Sequence, residues 1–258
     1  MTGNFIWYEL MTTDVAAAAD FYGKVLGWNV KNEGGNDAQG NAYHHIYSRA
    51  GEGVGGMMKR PMEQAPVAWN GYIHVEDLDA ACTAIEGDGG KKWMEHEVPN
   101  AGRFAIVNDP QQASFYVMQP SPADPNAKSR AYEPGTPGHV GWHEYHGKDG
   151  EAALAFYTKH FGWTHDDDFD MGPMGKYHLF AIDGERAGGI MSDSNFPHPA
   201  WLFYFSVEDI GAAKTRVESA GGMILNGPHE VPGGQMIIVA RDPQGGMFAC
   251  VTAPKREG

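Results

Sequence analysis

The sequence is poor in cysteine and contains no long apolar run. Its 258 residues include two cysteines, Cys82 and Cys250, which are too few for a disulfide framework. Both lie between apolar neighbours, so we expect buried structural thiols rather than reactive ones. No apolar stretch approaches the roughly 18 residues that a membrane span requires. These shortages argue against a disulfide-stapled scaffold and against a helical membrane protein.

Basic residues and targeting signals are also scarce. Lys and Arg total 19 against 33 Asp and Glu, so the formal net charge is −14, and no Lys/Arg run occurs. Such an acidic protein is poorly suited to bind nucleic acid or an anionic membrane surface. The opening residues MTGNFIWYEL lack the basic and apolar regions of a signal peptide. We therefore expect a cytoplasmic protein with no nucleic-acid or membrane partner.

What the chain does contain is an internal duplication. The matching segments keep one order, and their offset of 135 residues narrows to 132 or 133. So many ordered matches indicate two homologous halves. The matches are Trp7-Tyr8-Glu9 with Trp142-His143-Glu144, Phe21-Tyr22 with Phe156-Tyr157, Gly27-Trp28 with Gly162-Trp163, VGGMM (54–58) with AGGIM (187–191), VEDLDA (75–80) with VEDIGA (207–212), HEVP (96–99 and 229–232) and DPQ (109–111 and 242–244).

A polar, proline-rich segment separates the two halves. Five prolines fall within residues 120–138, a composition that is typical of an extended linker. We therefore place a first domain at residues 1–120, a linker at residues 121–137 and a second domain at residues 138–258.

Each half contains the pattern of a strand, a helix and three further strands twice. In the first half, Asp14 and Asp77 are typical N-cap residues, and each precedes a segment with apolar residues at helical spacing. Gly27 is the expected end of the first helix, and Gly89-Gly90 is the expected end of the second. Short strand-like runs follow both helices. The pattern predicts an α+β fold with four βαβββ units, two in each homologous domain.

The repeated motifs resemble those of the vicinal oxygen chelate superfamily, the glyoxalase, bleomycin-resistance and ring-cleaving dioxygenase group. The motifs are ELMTTD…FYGKVLGW and EYHGKD…FYTKHFGW, the two VED-plus-helix segments, and the two DPQ turns before a final strand. The likeness covers nearly the whole chain outside the linker and is closest to a two-domain glyoxalase-like subgroup. It implies curved mixed sheets around clefts. Members of the family use a divalent metal as a Lewis acid, or have lost the metal and bind ligands.

The resemblance also implies where metal ligands, usually His, His and Glu, would stand. They come from the first strand, the strand before the second helix and the last strand, with a further Glu or Gln on the fourth strand. Such ligands suit iron, manganese, nickel or zinc. At these positions the chain carries Trp7, Asn70 and Tyr116 in the first half, Trp142, Leu202 and Ala249 in the second, and the glycine-rich segments 55–57 and 188–190 on the fourth strands.

Neither half has a competent ligand set at these positions, and shifts of two or four residues do not recover three ligands. We therefore expect no cofactor. A divalent metal at a mixed site, of Glu9 with His74 or of Glu144 with His146, stays open. The twelve histidines show no metal-finger or HExxH spacing, so we expect them to be structural or on the surface. The glycine pairs at 55–56 and 188–189 are expected to allow a close backbone approach or a bulge.

In place of a metal, we expect an aromatic cleft with one carboxylate in each half. Side chains two residues apart share a strand face. Aromatic walls with a few polar groups are typical of a small-molecule site, although tryptophans at these positions could instead fill a core. The expected linings are Trp7, Glu9, Asn70, Tyr72, His74 and Tyr116 in one half, and Trp142, Glu144, His146, Leu202, Tyr204 and Ala249 in the other.

Glu9 and Glu144 are the candidate catalytic residues. A carboxylate among Trp, Tyr and Leu is costly to bury without a partner, and burial raises its pKa toward that of a general base. We predict that replacing Glu9 by Gln changes ligand binding more than stability. The alternative is a structural carboxylate that neighbouring strands satisfy.

The leading hypothesis is a glyoxalase- or bleomycin-resistance-like protein that binds a small, aromatic or carbonyl-bearing molecule in a metal-poor cleft. One alternative is a metal-dependent enzyme of the same superfamily, either a glyoxalase-type lyase or a ring-cleaving dioxygenase. A second alternative is a non-catalytic structural or interaction protein with filled clefts. Fused domains can supply internally the pairing that single-domain relatives obtain as dimers, so both a monomer and a homodimer fit the sequence.

Overall fold

The computed structural model describes residues 2–36, 40, 42–121 and 129–254. In this part of the chain the helices are α1 (Val15–Leu26), α2 (Leu78–Gly87), α3 (Gly150–Phe161) and α4 (Ile210–Ser219), with a short 3₁₀ turn at Gly172–Met174. The strands are β1 (Phe5–Thr12), β2 (Asn29–Asn36), β3 (Ala42–Tyr47), β4 (Gly53–Lys59), β5 (Ala68–His74), β6 (Lys91–Val98), β7 (Gly102–Asn108), β8 (Ser114–Pro120), β9 (Val140–Gly147), β10 (Thr164–Asp170), β11 (Lys176–Ile182), β12 (Glu185–Ser192), β13 (Ala200–Val207), β14 (Met223–Glu230), β15 (Met236–Arg241) and β16 (Met247–Thr252). None of the described helices has the length and apolar character needed to cross a membrane.

Local sequence accounts for where the helices begin and end. The aspartate before each α-helix accepts a hydrogen bond from a backbone N–H of the first turn, which satisfies a donor that the helix itself cannot. Gly27 and Gly162 end α1 and α3 in the left-handed conformation, with φ of 76° and 68°. The predicted helix ends are thus confirmed for α1, and α2 ends just before the predicted Gly89-Gly90. The capping residues are Asp14, Asp77, Asp149 and Asp209.

Each half of the sequence contributes one eight-stranded mixed sheet. The strand orders are β2-β3-β4-β1-β5-β8-β7-β6 and β10-β11-β12-β9-β13-β16-β15-β14. In the first module of each half, the opening strand pairs in parallel with the last strand, β1 with β4 and β9 with β12. The second modules repeat this with β5 and β8 and with β13 and β16. The predicted α+β class with four βαβββ modules is confirmed.

The chain forms two compact units, and each unit combines segments from both halves of the sequence. Unit 1 comprises Met1–Ile6, Asn70–Lys128 and His143–Leu202, and unit 2 comprises Trp7–Trp69, Ser129–Trp142 and Phe203–Gly258. Unit 1 therefore contains α2 and α3, and unit 2 contains α1 and α4. The boundaries 1–120, 121–137 and 138–258 remain a prediction about homologous halves.

Part of the proline-rich segment packs within unit 2. Residues 122–128 of the predicted linker lie outside the described residues. Beyond them, Ala131 is buried, and Tyr132 forms an isolated parallel bridge with Val140. The carboxyl-terminal end of the predicted linker is thus hydrogen-bonded to the start of β9.

A buried hydrogen-bond chain stabilises the core of unit 2. The Trp69 indole donates to the Tyr22 hydroxyl at 2.9 Å, and that hydroxyl donates to Asp242 Oδ2 at 2.9 Å. Burial raises the pKa of Asp242. The backbone N–H groups of Gln244 and Gly246, at 2.9 and 2.8 Å, help to offset the desolvation of this carboxyl.

Unit 1 contains an equivalent chain of hydrogen bonds with one additional donor. The Trp201 indole donates to the Tyr157 hydroxyl at 3.0 Å, and that hydroxyl donates to Asp109 Oδ2 at 3.2 Å. Tyr145 gives Asp109 a further hydrogen bond at 2.7 Å. The duplicated FY and DPQ motifs are therefore explained by buried polar networks in the core.

The two cysteines are buried free thiols. Burial raises the pKa of Cys82 to about 11 and that of Cys250 to about 12. Both are therefore protonated at neutral pH and are poor nucleophiles. The prediction that they are structural is confirmed.

Candidate functional site

The Gly-Gly pairs on β4 and β12 allow a backbone approach that no other residue permits. A Cβ on Gly55 would overlap the backbone oxygen of Tyr8, and a Cβ on Gly188 would overlap the backbone oxygen of His143. The strand registers shift beside both pairs. The predicted close approach and bulge are confirmed.

In unit 1, the second glycine of the pair makes room for a tyrosine beside Glu144. Gly189 on β12 is the register partner of Glu144 on β9, and a Cβ on Gly189 would overlap the ring of Tyr177. Because position 189 has no side chain, the Tyr177 hydroxyl reaches Glu144 and donates to Oε2 at 2.8 Å. The carboxylate thus gains a donor from a strand that is not adjacent to its own.

Glu144 belongs to a cluster with an imidazole and a second carboxylate. His146 Nε2 lies 2.8 Å from Glu144 Oε1, and His146 Nδ1 lies 3.0 Å from Asp193 Oδ2. Phe196 stacks on the His146 ring, with centroids 4.0 Å apart and planes within 13°. The side chains of Glu144, His146 and Asp193 are 14%, 9% and 20% exposed, so a ligand can reach the carboxylates. These four residues and Tyr177 are named the Glu144 cluster.

The two carboxylates favour the protonated form of His146. Burial is the largest single influence and lowers its pKa, but the hydrogen bonds and charges of Glu144 and Asp193 together outweigh burial, and the pKa of His146 is raised. An imidazolium donates from both nitrogens, which matches a carboxylate on each side. The cation therefore orients both carboxylates through charge-assisted hydrogen bonds.

Raising the pH is expected to reduce stability through His146. The pKa of an unfolded histidine is about 6.5, and the folded-state pKa of His146 lies above its ordinary value. Its stabilising contribution is therefore complete below about pH 6.5 and is lost as the pH rises through the folded-state pKa. In urea titrations, we expect the difference in unfolding free energy between wild type and His146→Gln to shrink as the pH rises. His198→Gln, at an exposed histidine, is the matched control, and a difference that is independent of pH would contradict the prediction.

Unit 2 contains the equivalent glycine, tyrosine and glutamate but lacks the imidazole. A Cβ on Gly56 would overlap the Tyr43 hydroxyl, and Gly56 is the register partner of Glu9. The Trp7 indole donates to the Tyr43 hydroxyl at 2.8 Å. Glu9 is only 3% exposed, and Met11 stands two residues after it, where the second half has an imidazole. The candidate sites of the two halves are therefore not chemically equivalent.

Unit 1 also contains two of the three aromatic residues predicted for the first cleft, whereas the third, Trp7, belongs to unit 2. Tyr72 and Tyr116 are register partners on β5 and β8, with ring centroids 4.6 Å apart. Phe104 stacks on Tyr116 at 5.7 Å. Asn70 and His74 occupy the alternate positions of β5 on either side of Tyr72, the first buried and the second half-buried.

The remaining predicted lining residues are divided between the units. Trp142, Tyr204 and Ala249 belong to unit 2, whereas Leu202 belongs to unit 1. Tyr204 and Ala249 are buried register partners. That the six residues of each half line one cleft therefore remains a prediction.

The positions that the resemblance assigns to metal ligands do not fit a metal. Trp7, Asn70 and Tyr116, like their second-half counterparts, offer neither imidazole nor carboxylate. On β12, the Tyr177 ring fills the space that a ligand side chain at position 189 would need. Within the Glu144 cluster, the two carboxylates contact opposite nitrogens of His146, so the three side chains do not converge on one ion.

His143 has the structural role predicted for most histidines. Burial lowers its pKa to about 3, so the ring is neutral. Its Nδ1 lies 2.8 Å from the Ala187 backbone oxygen, and its ring stacks on Phe5 at 4.1 Å. This histidine is part of the core of unit 1.

Three members of the Glu144 cluster are missing from the sequence prediction: Tyr177, Asp193 and Phe196. Tyr177 could be found from the duplication, because Tyr43 occupies the equivalent strand. Asp193 and Phe196 lie in the loop after β12, and no pattern in the sequence marks loop residues that fold back onto a strand.

Comparison with known proteins agrees with the fold and the duplication. The model of the glyoxalase/bleomycin resistance protein/dioxygenase superfamily matches residues 4–115 and 137–249. The Mycobacterium tuberculosis protein named "Putative glyoxylase CFP32" is 30% identical over 254 residues, which cover 94% of this chain and 92% of that protein. The Streptomyces sp. protein named "Anthracycline biosynthesis protein DauV" is 28% identical over 263 residues, covering 95% and 91%.

Solved structures share the fold at low sequence identity. The Mn(II)-bound glyoxalase from Novosphingobium aromaticivorans has a TM-score of 0.68 and 16% identity, covering 98% of this chain and 83% of that chain. The 2,3-dioxygenase LapB from Pseudomonas sp. KL28 has a TM-score of 0.65 and 14% identity, covering 100% and 95%. With the two matches of the family model, one over each half, and the four βαβββ modules, the chain belongs to the glyoxalase/bleomycin resistance protein/dioxygenase superfamily.

Proposed function

We propose that this protein binds a small aromatic carbonyl compound that carries a hydroxyl group, and that Glu144 anchors the hydroxyl. The observation that carries the proposal is the partly exposed Glu144 carboxylate, held between the Tyr177 hydroxyl and the His146 ring. A carboxylate that is oriented on both oxygens before a ligand arrives loses little freedom on binding.

The cluster combines carboxylate acceptors with a flat apolar neighbour. Each carboxylate oxygen can accept two hydrogen bonds. Glu144 Oε2 accepts one from Tyr177 and Oε1 is paired with His146, and the 14% exposure of the Glu144 side chain lets a ligand hydroxyl approach the carboxylate. Phe196, stacked on His146, adds an aromatic surface for a planar ligand. This combination favours an aromatic hydroxyl compound over a simple anion, which Glu144 and Asp193 would repel.

The names of the relatives support a small-molecule ligand. One relative is named a glyoxylase and another an anthracycline biosynthesis protein. Metal-dependent chemistry at the Glu144 cluster is not part of the proposal, because its donors do not converge. Proton transfer is compatible with the proposal, since a carboxylate beside an imidazolium can accept a proton from an acidic ligand group.

Replacing Glu144 by Gln is expected to weaken ligand binding roughly 10- to 100-fold, because a hydrogen bond to a charged acceptor is worth about 1.5–3 kcal/mol. The ligand panel consists of ortho-hydroxy aromatic aldehydes and ketones, first ranked by thermal shift and then titrated by calorimetry. Glu9→Gln is titrated in parallel. A matching loss of affinity would place a second site in the first half, and a loss of melting temperature alone would make Glu9 structural.

Glu151→Gln is the matched control, because Glu151 is an exposed carboxylate in the first turn of α3 in the same unit. Its affinity should equal that of the wild type. The proposal fails if no member of the panel binds, or if a folded Glu144→Gln variant binds as tightly as the wild type.

A further inference from the structure

We propose that His165, Asp168 and His178 of unit 1 form a binding site for one transition-metal cation, with Zn²⁺ as the best match. The site lies on β10 and β11, two strands from which the superfamily resemblance draws no metal ligand. Successive residues of a strand point to opposite faces. Tyr177 joins the Glu144 cluster from one face of β11, and His178 therefore points to the other face.

The three side chains converge on one point. His165 Nε2 lies 2.8 Å from Asp168 Oδ1, and His178 Nδ1 lies 2.7 Å from the same oxygen. One donor atom from each residue falls within 4.8 Å of the other two. Tetrahedral zinc, with bonds of about 2.0–2.2 Å, separates its ligand atoms by roughly 3.3 Å, so small side-chain rotations would admit the ion. Two imidazoles and a carboxylate leave a fourth position for water.

An irregularity in the strand pairing brings the ligands to one face. Asp168 is the register partner of His178, and His165 is the register partner of Phe180. The two partners are therefore three residues apart on β10 but only two residues apart on β11. The register shifts between His165 and Asp167. In a regular strand, residues three apart would point to opposite faces, whereas this bulge turns His165 toward Asp168.

The equivalent hairpin of the first half lacks two of the three ligands and keeps a histidine, His44, at the place of His178. Over Asn29–Asn32, β2 pairs with β3 without a register shift, with Val30 opposite Ile46 and Asn32 opposite His44. Valine and asparagine thus stand where the second half has histidine and aspartate. The bulge and the ligand set therefore occur together in the second half.

The positive charge of Lys176 contacts only one of the two oxygens of Asp168. Lys176 Nζ contacts Oδ2 at 3.1 Å, whereas both histidines contact Oδ1. The Lys176 side chain is 58% exposed and can move into solvent when a cation binds.

A second group of potential ligands in the described residues already has a cation. Glu52, Glu133 and His139 also place one donor atom each within 4.8 Å of the others. Arg130, however, contacts both Glu52 and Glu133. Its guanidinium supplies the positive charge that a metal would bring.

The test is calorimetric titration of the metal-free full chain with Zn²⁺, with bound metal measured after desalting. We expect one Zn²⁺ per chain and an increased melting temperature. Removing one ligand should weaken Zn²⁺ binding by at least roughly 10- to 100-fold, which is the effect of removing a residue that only hydrogen-bonds to a metal ligand. His165→Gln is the main variant because the His165 side chain is 46% exposed and should not affect folding. His178→Gln tests the buried ligand.

Lys176→Gln and His198→Gln complete the design. Lys176→Gln removes a competing positive charge and should strengthen binding roughly two- to fivefold. His198→Gln, at an exposed histidine outside the site, should bind as the wild type does. Absence of binding, or Zn²⁺ binding that survives both ligand variants, would overturn the proposal. Because the readout is metal content, the result does not depend on the ligand proposed for the Glu144 cluster.

Discussion

Replacing Gly188 by Ala is expected to lower the free energy of unfolding by about 2–3 kcal/mol, the cost of forcing an extra group into a packed site. The added Cβ would overlap the backbone oxygen of His143 and the ring of Phe180. A backbone oxygen in a paired strand cannot move aside, so β9 and β12 would have to separate locally. Urea unfolding followed by circular dichroism measures the change.

The neighbouring variant, Gly189→Ala, is the matched comparison, and we expect it to act on the site rather than on the fold. The three atoms nearest to its Cβ all belong to the end of the Tyr177 side chain, which can rotate away. Rotation breaks the hydrogen bond to Glu144, so affinity for the aromatic hydroxyl ligand should fall roughly 5- to 10-fold with little loss of stability. The interpretation fails if Gly189→Ala destabilises the protein as much as Gly188→Ala does.

Replacing Tyr22 by Phe should cost about 3 kcal/mol, because it leaves a buried carboxylate without a side-chain donor. Among the hydrogen bonds described above, Asp242 would keep only those from the backbone N–H groups of Gln244 and Gly246. The Trp69 indole would also lose its acceptor. The unfolding free energy from urea titration gives the result directly.

Tyr157→Phe makes the same change in unit 1 and should cost only about 1.5 kcal/mol. Asp109 would keep the hydrogen bond from Tyr145, for which unit 2 has no equivalent because Leu10 stands at that position. Tyr47→Phe, which removes an exposed hydrogen bond to Glu33, is the control and should be close to neutral. Equal losses of unfolding free energy for Tyr22→Phe and Tyr157→Phe would show that Tyr145 does not compensate for the missing hydroxyl.

Much of the fold could be predicted because its signals are local or repeated. The caps at Asp14 and Asp77 and the stop at Gly27 depend on backbone groups within a few residues. The duplication could be recognised without a structure, since the repeated motifs keep their order and spacing. The close approach at the Gly-Gly pairs was also predictable, because only glycine lacks a Cβ.

The candidate site could be predicted only where its residues share a strand. Glu144 and His146 lie two residues apart on β9, which predicts a common face. The partners that orient them, Tyr177 and Asp193, come from another strand and from a loop. Hydrogen bonds between distant segments leave no periodic signal in a sequence, so these partners required the tertiary structure.

The four βαβββ modules, the helix caps and the membership of a superfamily follow from the sequence alone, because these features depend on local backbone chemistry and on repeated motifs. The three-dimensional structure was needed to find that the two compact units combine modules of both halves, that Asp193 and Phe196 fold back onto His146, and that a bulge turns His165 toward Asp168. These features depend on packing and strand register between residues far apart in the chain, where a shift of one residue exchanges the two faces of a strand.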